Sequence, residues 1–409
     1  RAALWVAISL CQLAGGASGG APRGGLQAGD EKTSSSNEPP HNCLAAPAPL
    51  QGRLEEIGVP RALWTGQGAC APNRTARSAR YTSSCRGVKP VRFVPSGGCR
   101  LEAFDARQFV DLLGGSRGRV VWMVGDSMIG QLADAIGCLL AEYNLGLHMM
   151  SKVLEGRSPS PPRELLVSTG HFMTIHRKTT CTRYGHGQAY FYVCFMKLRG
   201  HKGREGQVVH PLAFLPAKLP PTDVIFASFG AHFNNLAELE GAVNGVLKKA
   251  WAGLVRGAST RPAVLWLESS AQHFDTPTGA FSEEVNLIRR GGARCRVNHT
   301  REELDAGNWR NSVTSAAMAA LGVPVLPVWL PSALASGMHV VDLRIKSWEV
   351  LDCTHFCEFN GGLHDVGAEL LYNWLLSHPL PAPPAAPAGD TEGPSPAIRS
   401  GGELASTTR

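Results

Sequence analysis

The chain has 409 residues, of which 44% are hydrophobic and 18% are charged. This composition can bury a sizeable core, and it excludes a wholly disordered protein. The formal net charge of +7 comes without a dense Lys/Arg run interleaved with aromatic residues, so we expect no nucleic-acid partner. A solvated basic surface accounts for this charge more simply than a specific anionic partner does.

The two ends of the chain differ in composition from its middle. Residues 2–14 are apolar and uncharged, but they are fewer than the roughly 20 residues that span a bilayer. We expect residues 1–20 to be a signal peptide or the end of a single-pass signal anchor, and both alternatives stay open. Residues 21–42 predict a flexible stem, and the Pro/Ala-rich residues 379–409 predict a disordered tail. The predicted folded domain is therefore 43–378.

The first strong strand signal in this domain is the apolar run Val120–Val124, which ends in Gly-Asp-Ser. A continuous apolar run predicts a strand that is covered on both faces. Apolar residues then recur at helical spacing from Ile129 to Leu140, so a tight turn should join the strand to a helix. Two further apolar runs, Val224–Ala227 and Val264–Leu267, predict more buried strands.

Other segments give weaker strand signals. The apolar run Val323–Leu330 contains Pro324 and Pro327, which make it a poor central strand. Phe172–His176 and Ala189–Phe195 are compatible with a strand pair or an insertion. The alternation of strands with helices predicts an α/β sandwich with a mostly parallel sheet.

Cysteine usage predicts disulfides in an oxidising compartment. The chain has eleven cysteines but no CxxC pair and no zinc-type Cys/His spacing, so we expect no metal site. The sequons at Asn73 and Asn298 agree with a secretory route. The candidate disulfide cysteines are Cys43, Cys70, Cys85, Cys99, Cys353 and Cys357.

Ser127 is the candidate nucleophile. Gly125-Asp126-Ser127 follows a predicted buried strand, and sites in open α/β sheets lie beyond the carboxyl ends of strands. Glycine permits a sharp turn there, and backbone N–H groups at the start of the following helix can stabilise an oxyanion. The structural alternative is that Asp126 or Ser127 only caps that helix.

Asp352 and His355 are the candidate partners of the nucleophile. A serine hydroxyl needs a base, and the base needs a group that orients it. The i, i+3 spacing on one helical turn would place both side chains on one face, so that Asp352 accepts from one imidazole nitrogen while the other faces Ser127. The alternative is an unrelated surface aspartate and a core histidine.

A third polar segment follows the predicted strand Val224–Ala227. Gly230, His232 and Asn234 are candidate donors to an oxyanion, and Asp126 is grouped with them as a candidate oxyanion or substrate-binding residue. A simple polar loop explains any one of these residues equally well.

Several motifs together resemble one family. VVWMVGDSMIGQL at 120–132 and DCTHFC at 352–357 resemble the nucleophile and C-terminal blocks of the trichome-birefringence-like and PC-esterase family of polysaccharide O-acetyltransferases. The cysteine-rich part 43–99, the GHW-type segment Gly230–Phe233 and the SPxHF-type block Ser269–Phe274 are also similar to that family.

The resemblance covers about Cys43 to Leu376, with departures in the nucleophile block. Gly130 and Gln131 stand where plant members have Arg and Asn. These departures bear on the acceptor glycan more than on the triad.

The resemblance implies a three-layer α/β/α sandwich of the GDSL/SGNH hydrolase-like type and an O-acetyltransferase that works through a Ser127 acyl-enzyme. It implies a glycan or polysaccharide acceptor and an acetyl donor, either acetyl-CoA or a membrane-delivered acetyl carrier, with no tightly bound cofactor. The expected location is the Golgi lumen, as a type II membrane or lumenal protein, or alternatively outside the cell. A secreted carbohydrate acetylesterase and an inert glycan-binding member remain alternatives.

Overall fold

A computed structural model of the chain describes residues 42–45, 50–57, 88–114, 119–150, 180–187, 189–197, 222–228, 230, 231, 233, 235–244, 263–281, 295–297, 299–339, 343–345, 348–350, 352–357 and 362–380. All of them belong to one compact unit, Pro40–Arg409. The predicted signal or anchor segment 1–20 lies outside them, as do nearly all of the predicted stem and tail. Among the described helices, none has the length and apolar character needed to cross a membrane.

The described ranges contain eleven strands, seven α-helices and two short 3₁₀ turns, at Ala141–Tyr143 and Ser336–Met338. The strands are β1 (Gly52–Glu56), β2 (Val91–Pro95), β3 (Arg119–Gly125), β4 (Asn144–Met150), β5 (Thr180–His186), β6 (Ala189–Lys197), β7 (Val224–Ser228), β8 (Ala263–Leu267), β9 (Val325–Leu326), β10 (Leu343–Ile345) and β11 (Trp348–Val350). The helices are α1 (Ala106–Leu113), α2 (Ser127–Leu139), α3 (Leu236–Ala242), α4 (Arg301–Gly307), α5 (Trp309–Ala320), α6 (Trp329–Ala333) and α7 (Leu363–Ser377).

Seven strands form one mixed sheet in the order β4-β5-β6-β3-β7-β8-β9. The five strands from β6 to β9 in that order are parallel, whereas β5 is antiparallel to both of its neighbours. The sheet confirms the predicted α/β class with a mostly parallel sheet. Because β3, β7 and β8 are parallel neighbours, their carboxyl ends meet at one edge, which is where sites form in such sheets.

Strand β3 lies at the centre of the sheet, and all of its residues are buried. Val121 and Met123 belong to an apolar cluster with residues of α1, α2 and α7. Val120, Trp122 and Val124 belong to a second cluster, with residues of α3 and α5. Since alternate residues of a strand point to opposite faces, β3 packs against helices on both sides, which explains its continuous apolar sequence.

The strongest sequence predictions of secondary structure are confirmed. The predicted strands at 120–124, 224–227 and 264–267 are β3, β7 and β8, and the helix after Gly-Asp-Ser is α2. The proline-containing run 323–330 supplies only the two-residue edge strand β9. Pro324 has no N–H, but its carbonyl still accepts from the Trp266 N–H of β8 at 2.9 Å, so an edge position suits it.

One of the two weakly predicted strands pairs with a segment that was not predicted as its partner. Ala189–Phe195 lies within β6, and its hairpin partner is β5, at Thr180–His186. The segment Phe172–His176 lies outside the described residues. Cys181 and Cys194 face each other in the β5–β6 register and form a disulfide that the sequence did not predict.

The prediction of disulfides is confirmed for the described cysteines. Cys43 is bonded to Cys99, and Cys353 is bonded to Cys295. Cys357 is disulfide-bonded as well, as is every other cysteine in the described part of the chain. Cys70 and Cys85 lie outside the described residues.

We expect non-reducing peptide mapping to recover Cys181 and Cys194 in one cross-linked peptide pair. The double variant Cys181→Ser, Cys194→Ser should lose about 3 kcal/mol of unfolding free energy, because this bridge closes a loop with a sequence separation of 13 residues. Urea denaturation of the native and double-variant proteins measures the difference. Two free thiols in the native protein, or equal urea midpoints, would contradict the bridge.

Candidate active site

Ser127 stands where the central strand ends and a helix begins. Asp126 caps α2, and its Oδ1 accepts from the Met128 N–H at 3.0 Å. Gly125 precedes the cap in close approach to β7, where a Cβ would collide with the carbonyl of Ser228. The glycine therefore permits a close contact with the neighbouring strand, and the aspartate caps the helix. The serine supplies an accessible hydroxyl.

The structure brings the three predicted triad residues into one hydrogen-bonded chain. The Nδ1 atom of His355 is 2.6 Å from Oδ2 of Asp352, and its Nε2 atom is 2.6 Å from Oγ of Ser127. A carboxylate only accepts, so Nδ1 carries the imidazole proton and Nε2 accepts from the serine hydroxyl. This is the arrangement that a general base next to a nucleophile requires.

The prediction that Asp352 and His355 share a helical turn is wrong. Residues 352–357 form bends rather than a helix. Oδ1 of Asp352 accepts from the N–H groups of Thr354 at 3.0 Å and His355 at 2.9 Å. Aspartate side chains compete in this way with helical hydrogen bonds, and the resulting turn brings the same two side chains together.

The electrostatics of the loop keep Asp352 ionised. Burial raises the pKa of this carboxyl group, but the hydrogen bond and charge of His355 and the two backbone N–H donors lower it by more. The net result is a pKa below the ordinary value for aspartate. The two side chains remain partly open to solvent, with 20% of His355 and 11% of Asp352 exposed, so a substrate can reach the imidazole.

Two glutamines hold the loop that carries His355. Gln131, one helical turn after Ser127 on α2, donates from Nε2 to the carbonyl of Phe356 at 3.0 Å. Gln272 donates from Nε2 to Oγ1 of Thr354 at 3.0 Å, and to the carbonyl of Ala231 at 3.3 Å. Neither glutamine was predicted to have a role, although the i, i+4 spacing of Gln131 from Ser127 was a usable signal.

The predicted oxyanion segment is described only in part. Gly230 follows β7, and the adjacent Ala231 donates its N–H to Oδ2 of Asp126 at 3.3 Å. Asp126 therefore accepts two backbone N–H groups and connects the turn that carries Ser127 to the Gly230 turn. His232 and Asn234 lie outside the described residues.

Helix α5 anchors the Gly230 turn from behind. Arg310 is buried and donates from Nε and Nη2 to the carbonyl of Phe233 at 3.1 and 2.7 Å. Burial lowers the pKa of Arg310 to about 10, and the nearby Asp126 carboxylate opposes that change, so the guanidinium stays charged at neutral pH. Asn311 bonds both the N–H and the carbonyl of Ser269, which fixes the end of β8. Sequence reasoning missed both α5 residues.

A mostly apolar pocket lies beside α2, at the ends of β7 and β8. Its polar lining includes Ser228, Glu268, Ser270 and His364. Burial raises the pKa of Glu268 to about 7, although the Trp329 N–H that donates to its Oε2 opposes this. Burial lowers the pKa of His364 to about 3, so this imidazole is neutral at physiological pH.

Comparisons with known proteins identify no family for the chain: no family model matches it, and no curated protein matches it. In the described ranges, no three or more His, Cys, Asp or Glu side chains are grouped so as to hold a metal ion. What the geometry provides is a hydroxyl, an imidazole and a carboxylate in series. Such a set performs nucleophilic acyl transfer on unrelated folds.

If Gly230 is an oxyanion donor, Gly230→Ala should slow acylation of Ser127 by about 10²-fold, because the new Cβ would collide with Oγ of Ser269 and shift the turn that carries this candidate donor. Gly241→Ala is the matched control, since a Cβ on Gly241 in α3 meets open space. The burst of leaving-group release from an activated acetyl ester measures the acylation rate of both variants. Equal burst rates for the Gly230→Ala and Gly241→Ala proteins would contradict the candidate oxyanion role of Gly230.

Glu268→Gln should stabilise the protein at alkaline pH. Folding raises the pKa of this group from 4.5 to about 7, so the stability that its neutral form provides is complete below about pH 4.5 and is lost as pH rises to about 7. Glutamine stays neutral and can still accept from the Trp329 N–H. Thermal unfolding should show a gain of up to about 3 kcal/mol at pH 8 and almost none near pH 4.5. A gain that does not depend on pH would contradict the buried, proton-linked carboxyl group.

Proposed function

We propose that the chain is a serine-dependent O-acyltransferase that moves an acetyl group onto a hydroxyl of a glycan. One observation carries the proposal: Ser127, His355 and Asp352 are joined by two hydrogen bonds of 2.6 Å each. These two hydrogen bonds are the ones that join a serine nucleophile to its base, and the base to an orienting carboxylate.

In the first half of the reaction, Nε2 of His355 takes the proton of the Ser127 hydroxyl as Oγ attacks the acetyl carbonyl of the donor. The backbone N–H groups of Ser127 and Gly230 are the proposed donors to the oxyanion that forms. The carbon–oxygen or carbon–sulfur bond to the leaving group then breaks, and His355 returns the proton to that group. Ser127 is left as its acetyl ester.

In the second half, a sugar hydroxyl takes the place of the leaving group. His355 accepts its proton, the sugar oxygen attacks the acetyl ester, and the bond to Oγ breaks as the proton passes to Ser127. Asp352 stays ionised throughout and stabilises the imidazolium that forms twice in the cycle.

The proposal includes membership of the trichome-birefringence-like and PC-esterase family and its three-layer α/β/α sandwich. The motif resemblance supports it, as does a mostly parallel sheet whose central strand packs against helices on both faces. The proposed location of the protein is the Golgi lumen or outside the cell, because disulfides form in oxidising compartments. The proposed donor is acetyl-CoA or a membrane-delivered acetyl carrier, with no tightly bound cofactor.

Ser127→Ala should lower acetyl transfer by about three orders of magnitude or more, as the loss of a triad nucleophile does. Ser312→Ala is the matched control, because the hydroxyl of this exposed serine donates within its own helix turn, to the carbonyl of Trp309 at 2.8 Å. Mass spectrometry of the quenched reaction should place one acetyl group on the peptide that contains Ser127. Transfer at the native rate by a folded Ser127→Ala protein would refute the proposal.

Acceptor choice separates the transferase from the esterase alternative. With an acetylated donor and a panel of unacetylated glycans, a transferase adds acetyl groups to a glycan, whereas an esterase releases acetate at the same rate with and without glycan. If acetate is released at the same rate with every glycan and no glycan gains acetyl groups, the protein is an esterase. If no donor produces an acetyl-enzyme, the protein is an inert glycan-binding member.

A further inference from the structure

Two buried histidines lie behind the loop 352–357. His273 is 0% exposed and His339 is 1% exposed, and Nδ1 of the first is 2.6 Å from Nε2 of the second. Nε2 of His273 lies 3.1 Å from the carbonyl oxygen of Ala333, and Nδ1 of His339 lies 3.0 Å from the carbonyl oxygen of His355. Three polar contacts in series therefore connect the end of α6 to the backbone of the proposed base.

These three contacts need one more proton than two neutral imidazoles carry. A carbonyl oxygen only accepts, so each outer contact is a hydrogen bond only when the imidazole nitrogen bears a proton. The central contact between two nitrogens needs a proton as well. Two neutral imidazoles have two N–H groups between them, so one of the three contacts lacks its proton.

Burial keeps the pair neutral at physiological pH. It lowers the pKa of His273 to about 4 and that of His339 to about 3. The titratable groups that face the pair are His299 beside His273, and Asp352 and His355 beside His339. The two carbonyl contacts and the Asp352 carboxylate favour a third proton, but the effect of burial is larger.

Two protons can satisfy two of the three contacts in three ways. The arrangement that leaves the central contact without a proton would face two nitrogen lone pairs at 2.6 Å, so it is excluded. Two neutral arrangements remain. In one, both imidazoles carry their proton on Nδ1, so His273 donates to His339, and His339 donates to the carbonyl of His355. In the other, both carry it on Nε2, so His339 donates to His273, and His273 donates to the carbonyl of Ala333. The second arrangement would point a nitrogen lone pair at the His355 carbonyl.

The surroundings of the two carbonyls decide between these arrangements. The loop that contains His355 is held by the Cys295–Cys353 disulfide and by the N–H of Cys357, which donates to the Met338 carbonyl at 2.8 Å. These bonds resist a shift of the loop away from a facing lone pair. The Ala333 carbonyl belongs to the last residue of the five-residue helix α6, which contains no cysteine, so it is held by fewer cross-links than the loop.

We propose that His339 is a positioning residue for His355, donating from Nδ1 to its carbonyl, and that His273 fixes this tautomer by donating from its own Nδ1. The role rests on the proposed function, because it sets the distance from His355 to Ser127. The ordinary tautomer of a neutral histidine in water carries its proton on Nε2, so two buried Nδ1–H imidazoles are a distinctive result.

Nitrogen-15 NMR of the histidine-labelled native protein at neutral pH tests the tautomers directly. We expect His273 and His339 both to show a protonated Nδ1 and an unprotonated Nε2. The single variants His273→Gln and His339→Asn assign the two signals. An Nε2–H tautomer at either histidine would overturn the proposal, whatever the activity of the protein.

Paired substitutions test the effect on the proposed base. His339→Leu removes the donor, whereas the amide of His339→Asn can still donate from near the Nδ1 position. We expect acylation by p-nitrophenyl acetate to fall by about 10- to 100-fold in His339→Leu, and to stay within about 3-fold of native in His339→Asn, because small misplacements of a base are costly to the rate. His378→Leu is the matched control, since Nδ1 of His378 makes the same 3.0 Å contact to the Trp374 carbonyl, at the end of α7.

The outcomes separate the two proposals. A native protein that p-nitrophenyl acetate does not acylate would refute the proposed function, and the positioning role with it. A native protein that is acylated, with His339→Leu equally fast and folded, would overturn the positioning role alone. A loss that His339→Asn fails to rescue would also overturn it, because that pattern means that the volume of the imidazole matters rather than its proton. If His339→Leu does not fold, the tautomers of the native protein still decide.

Discussion

The carboxylate of Asp352 makes the shape and the chemistry of its loop depend on each other. One oxygen accepts two backbone N–H groups and so folds residues 352–355, and the other accepts a hydrogen bond from the Nδ1–H of His355. The side chain that builds the turn is therefore the one that orients the imidazole. Removing its charge would affect both at once, since the same donors that hold the loop keep the carboxyl group ionised.

The remaining contacts of the site connect three strand ends to that loop. Because β3, β7 and β8 are parallel neighbours, the segments that follow them emerge at one edge of the sheet. Asp126 bonds the turn after β7, and Gln272, after β8, bonds both that turn and the His355 loop. Gln131 joins the nucleophile helix to the same loop. Each segment is thus fixed by side chains from its neighbours, and fixed donors lower a barrier more than mobile ones do.

Local patterns allowed the central part of this structure to be predicted from the sequence. A continuous apolar run, a glycine and a helical period identify β3, the turn and α2, and the spacing of Asp352 from His355 brought the right pair together. The helical geometry assigned to that pair was wrong, because an aspartate side chain can take the N–H groups that a helix would use. The contacts of Arg310 and Asn311 could not be predicted from the sequence. Both residues lie on a helix far along the chain from the turns they hold, and only the fold brings them together.

The histidines around His355 are polar, but they add no charge at neutral pH. Burial lowers the pKa values of His273, His339 and His364 to about 4, 3 and 3. A charged imidazolium at any of these positions would repel the one that forms on His355 in the proposed reaction, in which it takes a proton from serine or sugar. With its neighbours neutral, the positive charge on His355 is opposed by none of them and is stabilised by Asp352. Packing these imidazoles in the core therefore supplies hydrogen bonds that shape the site without weakening its base.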